Sequence, residues 1–173
     1  MFRYSFLLIL IVSACATNIQ VIKKNGVDFS QRQTWCWLKG CDLTFQGNEV
    51  YLNKKSLVAI ANSIAVNMHN KGYEMGDNES DLVLNYYVIV DDASMEINRP
   101  QTELWDYQSL FNEYPKAINC LKGTLVIDVL DRENAELIWT SQLTKYTDYN
   151  TKLEKADIQE LVAKAMKKLP NRQ

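Results

Sequence analysis

The sequence predicts an α+β domain of two layers, a mostly antiparallel sheet with two helices packed on one face. Three observations carry that expectation. Asp81 to Asp91 is apolar on both faces of a strand, two segments repeat apolar residues at helical spacing, and Gly123 to Tyr146 reads as a hairpin.

Taken in chain order, Thr17 to Gly26 is polar and lacks clear periodicity, which marks a tether ahead of the domain. A strand is expected from Gln33 to Leu38, with Gln33, Trp35 and Trp37 on one face and Thr34, Cys36 and Leu38 on the other. Lys39-Gly40 ends it. Asn53 can cap a helix running to about Asn70, whose stripe is Leu57, Ile60, Ala61, Ile64 and Met68. Gly72 then supplies the left-handed residue after the helix, and Tyr73 the hydrophobic contact that accompanies it.

The Asp81–Asp91 strand puts Leu82, Leu84, Tyr86, Val88 and Val90 on one face and Val83, Tyr87 and Ile89 on the other. Such a strand belongs inside a sheet. Strand, helix and strand make a crossover unit, right-handed if the strands are parallel. In the hairpin, Leu125, Ile127 and Val129 alternate inward, Asp131-Arg132-Glu133-Asn134 turns, and Glu136 to Leu143 returns through Ile138 and Trp139. Asp157 with Glu160 reads as the capping box of a closing helix. Its stripe runs from Ile158 to Leu169, and Pro170 stops it.

Ahead of these elements, Arg3 precedes an apolar run from Phe6 to Val12, followed by small residues. A membrane-spanning helix needs about 20 apolar residues, so this run is too short. The order basic, apolar, small is that of a secretory signal peptide. Val12-Ser13-Ala14-Cys15 resembles the lipobox of bacterial lipoproteins. The resemblance implies cleavage before Cys15, a diacylglycerol on its thiol and, often, a further fatty acyl group such as palmitate on the new amino terminus. Two or more chains make a stable anchor where one holds only marginally. By the sorting pattern of enteric bacteria, Ala16 in place of Asp after the cysteine implies the outer membrane, facing the periplasm. The expected plan is a removed signal peptide over 1–14, a lipid-anchored tether over 15–26, and one domain over 27–173 with an irregular insert at about 93–122.

Residues 15–173 suffice for one domain with a real core. Hydrophobic residues at 47% and charged residues at 23% exclude wholesale disorder. The net charge of −2 becomes more negative once Arg3 is lost, and no basic stripe offers itself to a phosphate backbone. Nucleic-acid binding is therefore not expected. Lys164, Lys167, Lys168 and Arg172 cluster where they complement the end of a helix.

Several of these stretches resemble one family of bacterial lipoproteins, the domain-of-unknown-function family 4136. The matching pieces are Asp28-Phe29 with Thr34-Trp35-Cys36-Trp37, then Lys71-Gly72-Tyr73, then Asp81 to Tyr86, then Gly123 to Asp128 with Trp139. They follow one another in the family's order over most of the chain. After the hairpin tryptophan many members have Arg-Gly, whereas this chain has Thr140-Ser141. The resemblance implies location and fold and supplies no activity.

Residues able to carry chemistry are few. His69 is the only histidine and sits in a helix's last turn, where packing near the carbonyls explains it. Cys36, Cys41, Cys120 and His69 lack the paired knuckles of a zinc site, and export favours oxidation instead. A disulfide between Cys36 and Cys41 is expected, because Lys39-Gly40 can turn the chain between them; Cys120 would stay free and buried beside the hairpin. Asp91-Asp92 ends a strand, and Asp131 with Glu133 belongs to a turn. No metal, cofactor or catalytic set is expected. Two readings remain: a non-catalytic binding or assembly module acting on an envelope protein, glycan or lipid, and an envelope hydrolase acting on a glycan or lipid. Within the insert, Trp105, Tyr107, Phe111 and Tyr114 are too many aromatics for a solvated linker. Trp105 and Tyr107 are the candidate partner-contacting pair, with coverage of an exposed core end as the plainer explanation.

Overall fold

The computed structural model describes residues 17–38, 44–46, 52–77, 79–96 and 117–172. In chain order the elements are β1 (Thr17–Lys23), a single 3-10 turn (Phe29–Gln31), β2 (Thr34–Trp37), β3 (Thr44–Gln46), α1 (Lys54–Asn70), β4 (Glu74–Met75), β5 (Leu82–Glu96), β6 (Ala117–Asp131), β7 (Glu136–Thr147) and α2 (Lys155–Met166). Among the described residues the strands form one sheet of order β1-β7-β6-β5-β2-β4, with β3 also paired to β5. The β1, β7, β6 and β5 pairings are antiparallel, and those of β2, β3 and β4 are parallel. The α+β architecture read from the sequence is the architecture observed.

Three boundaries differ from expectation. The segment read as a tether is strand β1, in register with β7 from Thr17 opposite Lys145 to Lys23 opposite Trp139. Its polar look is half of an alternation: Asn18 and Gln20 are exposed while Ile19 and Val21 pack on the core. The domain therefore starts at or before Thr17 rather than at 27. The insert expected over 93–122 is shorter, because β5 runs on to Glu96 and β6 begins at Ala117, pairing Ala93 with Cys120 and Glu96 with Ala117. Polar residues such as Asp91, Asp92 and Ser94 extend the ribbon without an apolar pattern to announce it. Helix α2 starts one turn early, at Lys155, with the Glu154 backbone N–H donating to Asp157 Oδ2 at 2.9 Å. Glu160, expected in the cap, instead pairs with Lys164 one turn on, at 2.6 Å.

Helix α1 begins as expected, its Ser56 N–H donating to Asn53 Oδ1 at 3.0 Å. It ends in the Schellman pattern: Tyr73 N–H donates to Met68 O at 3.1 Å and Gly72 N–H to His69 O at 2.9 Å, with Gly72 at φ +87°. The C-terminal tail closes over this end. Arg172 N–H donates to Lys71 O at 2.9 Å, and the buried Tyr73 hydroxyl donates to Pro170 O at 3.0 Å. Burial pushes the Tyr73 phenol up to about 12. A Cβ on Gly72 would stand 3.0 Å from Arg172 O, on top of the strain of a left-handed φ. Gly72→Ala is expected to cost about 2 kcal/mol, read as a lower urea midpoint with unchanged slope.

The core lies between the helices and one sheet face. Ile60, Ile64 and Met68 of α1 and Ile158, Val162 and Met166 of α2 meet Leu82, Leu84 and Tyr86 of β5, Ile127 and Val129 of β6, and Trp139 of β7. At about 3.3 Å per residue the fifteen-residue β5 spans about 50 Å, while the seventeen-residue α1 spans about 25 Å. The helices therefore cover only part of the long strands. Under the first halves of both helices, the inner face of the ribbon opens into a cleft.

Candidate functional site: an apolar cleft at the end of the layers

Two concavities lie along the β5–β6 ribbon, one midway and one at its Leu82–Asp131 end. The first lies under the first halves of both helices. Val88 and Val90 of β5, Leu121 and Leu125 of β6 and Leu143 of β7 form its floor. Ile60 of α1, Leu153, and Ile158, Leu161 and Val162 of α2 form its roof, and the enclosed volume is about 100 Å³. Gly123 lies in the floor between Leu121 and Leu125, leaving open the space a side chain would fill. Lys145, Thr147 and Thr151 bring polar groups to this otherwise aliphatic wall. No ion-pair partner for Lys145 is found among the described residues.

The inward alternation of β7 explains Lys145. Trp139, Ser141, Leu143 and Lys145 share a parity, and Ser141 Oγ donates to Ala165 O of α2 at 2.8 Å, which fixes that face toward the helices. Lysine thus falls on the core side one step beyond the last covered leucine. Its side chain is half-buried, and a lysine there can lay its stem along apolar surface while keeping its charge solvated.

The second concavity, at the Leu82–Asp131 end, is polar, with a volume of about 440 Å³ between Arg32, Ser80, Asp81, Asp131 and Glu133. Arg32 Nε donates to Asp131 Oδ2 at 3.0 Å and its Nη2 to the same oxygen, while Nη1 donates to Asp28 O at 2.8 Å. Burial pushes the Asp131 carboxyl up, but the Arg32 hydrogen bonds and charge and the Asn134 N–H outweigh it and hold it below the usual range. Asp81 is also held low, first by the Thr34 N–H at 2.9 Å and then by the Gln33 N–H at 2.7 Å and the Thr34 hydroxyl at 3.1 Å. These carboxylates are ionised acceptors that tie β2 and the 3-10 turn to the central hairpin.

Of the residues singled out in the sequence, Cys15, Cys41, Trp105 and Tyr107 lie outside the described residues. Cys36 and Cys120 are buried and not bonded to each other, and the expected Cys36–Cys41 bridge falls outside the described residues. A bridge between those two is excluded, since Cys36 pairs with Val83 and Cys120 with Ala93 on β5. Ten residues of strand put them roughly 33 Å apart, against a limit near 7 Å. His69 is exposed in the last turn of α1. No cluster of three metal-binding side chains occurs among the described residues, and no described helix is long and apolar enough to cross a membrane. The cleft itself escapes sequence reasoning, although two signals point to it. Gly123 interrupts the inward series Leu121-x-Gly123-x-Leu125, and Lys145 ends the inward series of β7.

Comparison with known proteins agrees with this architecture. The fold is shared with PelC of Paraburkholderia phytofirmans, solved as a dodecamer, at TM-score 0.52 and 11% identity over 91% of this chain and 100% of that one. It is shared also with a PDZ domain protein of Parabacteroides distasonis, at TM-score 0.56 and 14% identity over 92% of this chain. This chain spans only 36% of that second protein. No curated protein matches at the sequence level. Residues 21–171, nearly the whole described domain, match the family model DUF4136, a domain of unknown function. The chain belongs to the DUF4136 family.

Proposed function

We propose that this protein is a non-catalytic binding module of the bacterial envelope, held at the membrane by lipid on Cys15, with the apolar cleft as its ligand site. The composition of the cleft wall carries this reading. Among the described residues the wall is aliphatic with a lysine and threonines in it, and these include no carboxylate, imidazole or thiol. Such a wall favours an apolar ligand through the area it removes from water, at about 25 cal/mol per Å², and asks for no reaction. The competing reading, an envelope hydrolase acting on a glycan or lipid, calls for an acid–base pair or an activated nucleophile facing a cleft. Asp81 and Asp131 face the polar concavity but are held ionised by the hydrogen bonds of the fold, which favours binding over hydrolysis.

Two measurements test the two halves of the proposal. Metabolic labelling with a radioactive fatty acid should mark the wild type, and a Cys15→Ala protein that remained labelled and membrane-bound would remove the anchor. The domain from residue 16 onward, exported behind an ordinary cleavable signal, should bind an environment-sensitive apolar dye saturably at one site. Gly123→Val should weaken that binding at least tenfold. A Cβ at this position meets only Lys145 O, at 3.8 Å, so the strand accepts the side chain without strain. Replacing a strand glycine should also raise stability by about 0.5–1 kcal/mol. Undiminished dye binding in Gly123→Val would place the ligand elsewhere.

A further inference from the structure

The pairing of β1 with β7 brings the start of the domain to the cleft. Thr17, the first residue of β1, is the register partner of Lys145, and Lys145 and Thr147 both line the cleft. Cys15 stands two residues before Thr17 in the chain. Two residues reach at most about 7 Å, so a group bonded to the Cys15 sulfur is tethered within reach of the cleft. Resting on the proposal that Cys15 is lipidated, we infer that the ligand of the cleft is one of the acyl chains carried by Cys15 itself.

The dimensions fit a single chain in part. A cavity of about 150 Å³ holds a benzene ring, so about 100 Å³ of enclosed space takes a short run of methylenes and excludes a whole diacyl lipid. The remaining chains on the same cysteine stay free for the bilayer, which keeps the protein anchored. The polar groups suit the linkage as well. Ester and amide carbonyls of an acylated cysteine are acceptors, and Lys145, Thr147 and Thr151 are donors. A chain tethered this closely competes at millimolar effective concentration, which a free fatty acid does not reach in an aqueous compartment.

The experiment uses the lipidated full-length protein and a diazirine-bearing palmitate fed to the producing cells. After purification in detergent and irradiation, peptides cross-linked to the Cys15 lipid are mapped by mass spectrometry. The expected partners are peptides spanning 121–125 and 153–162 of the same molecule, with cross-linking reduced at least fivefold in Gly123→Val. Incorporation with cross-links only to detergent or to other peptides overturns this inference and leaves the anchor standing. Cross-links joining two protein molecules assign the chain to a neighbour's cleft and overturn it too. No incorporation at all overturns the anchor and this inference together.

Discussion

Replacing Trp35 with alanine is expected to lower the free energy of unfolding by about 4 kcal/mol. Trp35 is 1% exposed although β2 has only four residues. Parallel pairing at Leu82 and at Met75 supplies few hydrogen bonds, so the buried indole is what holds this strand in the sheet. Its ring meets Trp37 edge-on at 5.0 Å, and Trp37 meets Tyr86 at 5.7 Å. Truncation removes the largest core side chain on β2 and opens a cavity beneath α1, where partial relaxation recovers little. Against a typical total of about 5–15 kcal/mol, such a loss leaves the domain marginal. Urea unfolding should show a much lower midpoint with the same slope, and a change below about 1 kcal/mol would mean that Trp35 does not organise this strand. Trp37→Ala, at the half-buried end of the same series, should cost less than half as much.

The second large effect is expected at the same end of the ribbon, where Leu82 of β5 has Trp35 on one side and Asp131 on the other. Asp131→Ala should destabilise by about 2–3 kcal/mol, because it leaves the part-buried Arg32 guanidinium without its carboxylate and the Asn134 N–H without its acceptor. The effect carries a pH signature. The Asp131 carboxyl is lowered in the folded state, so its contribution is fully present above the unfolded carboxylate value near 3.9 and is lost as pH falls through the folded value. The gap in urea midpoint between wild type and Asp131→Ala should therefore be constant from about pH 5 to 7 and close below about pH 4. A gap that widened on acidification would mean that Asp131 is neutral in the fold.

The elements legible in the sequence are those whose apolar period runs without interruption. Leu82-x-Leu84-x-Tyr86-x-Val88, the α1 stripe and the Leu125–Val129 series each lie within a few residues of where the periodicity places them. Strand β1 escapes because only Ile19 and Val21 mark its inner face, and so short an alternation looks the same as a linker. The outer ends of β5 and β6 escape for a related reason: Asp91, Asp92 and Ser94 of β5 are exposed there and break the apolar alternation that marks the rest of the strand. The cap of α2 moves by one turn because Glu154 and Glu160 both stand three residues from Asp157, and periodicity does not choose between them. The cleft is illegible for a different reason. It lies between strands and helices and appears only once the two layers are superposed.

On the proposed function, the apolar interface between helices and sheet, rather than a surface patch, takes an apolar ligand. Binding there is tested most directly by methyl NMR on the unlipidated domain during titration with decanoate. Saturable shifts are expected at Leu125, Leu143, Leu161 and Val162, all on the cleft wall, with the outward methyls of Ile22, Ile118 and Leu137 unmoved. Shifts confined to those exposed methyls, or cleft methyls that stay still through saturating ligand, would contradict it.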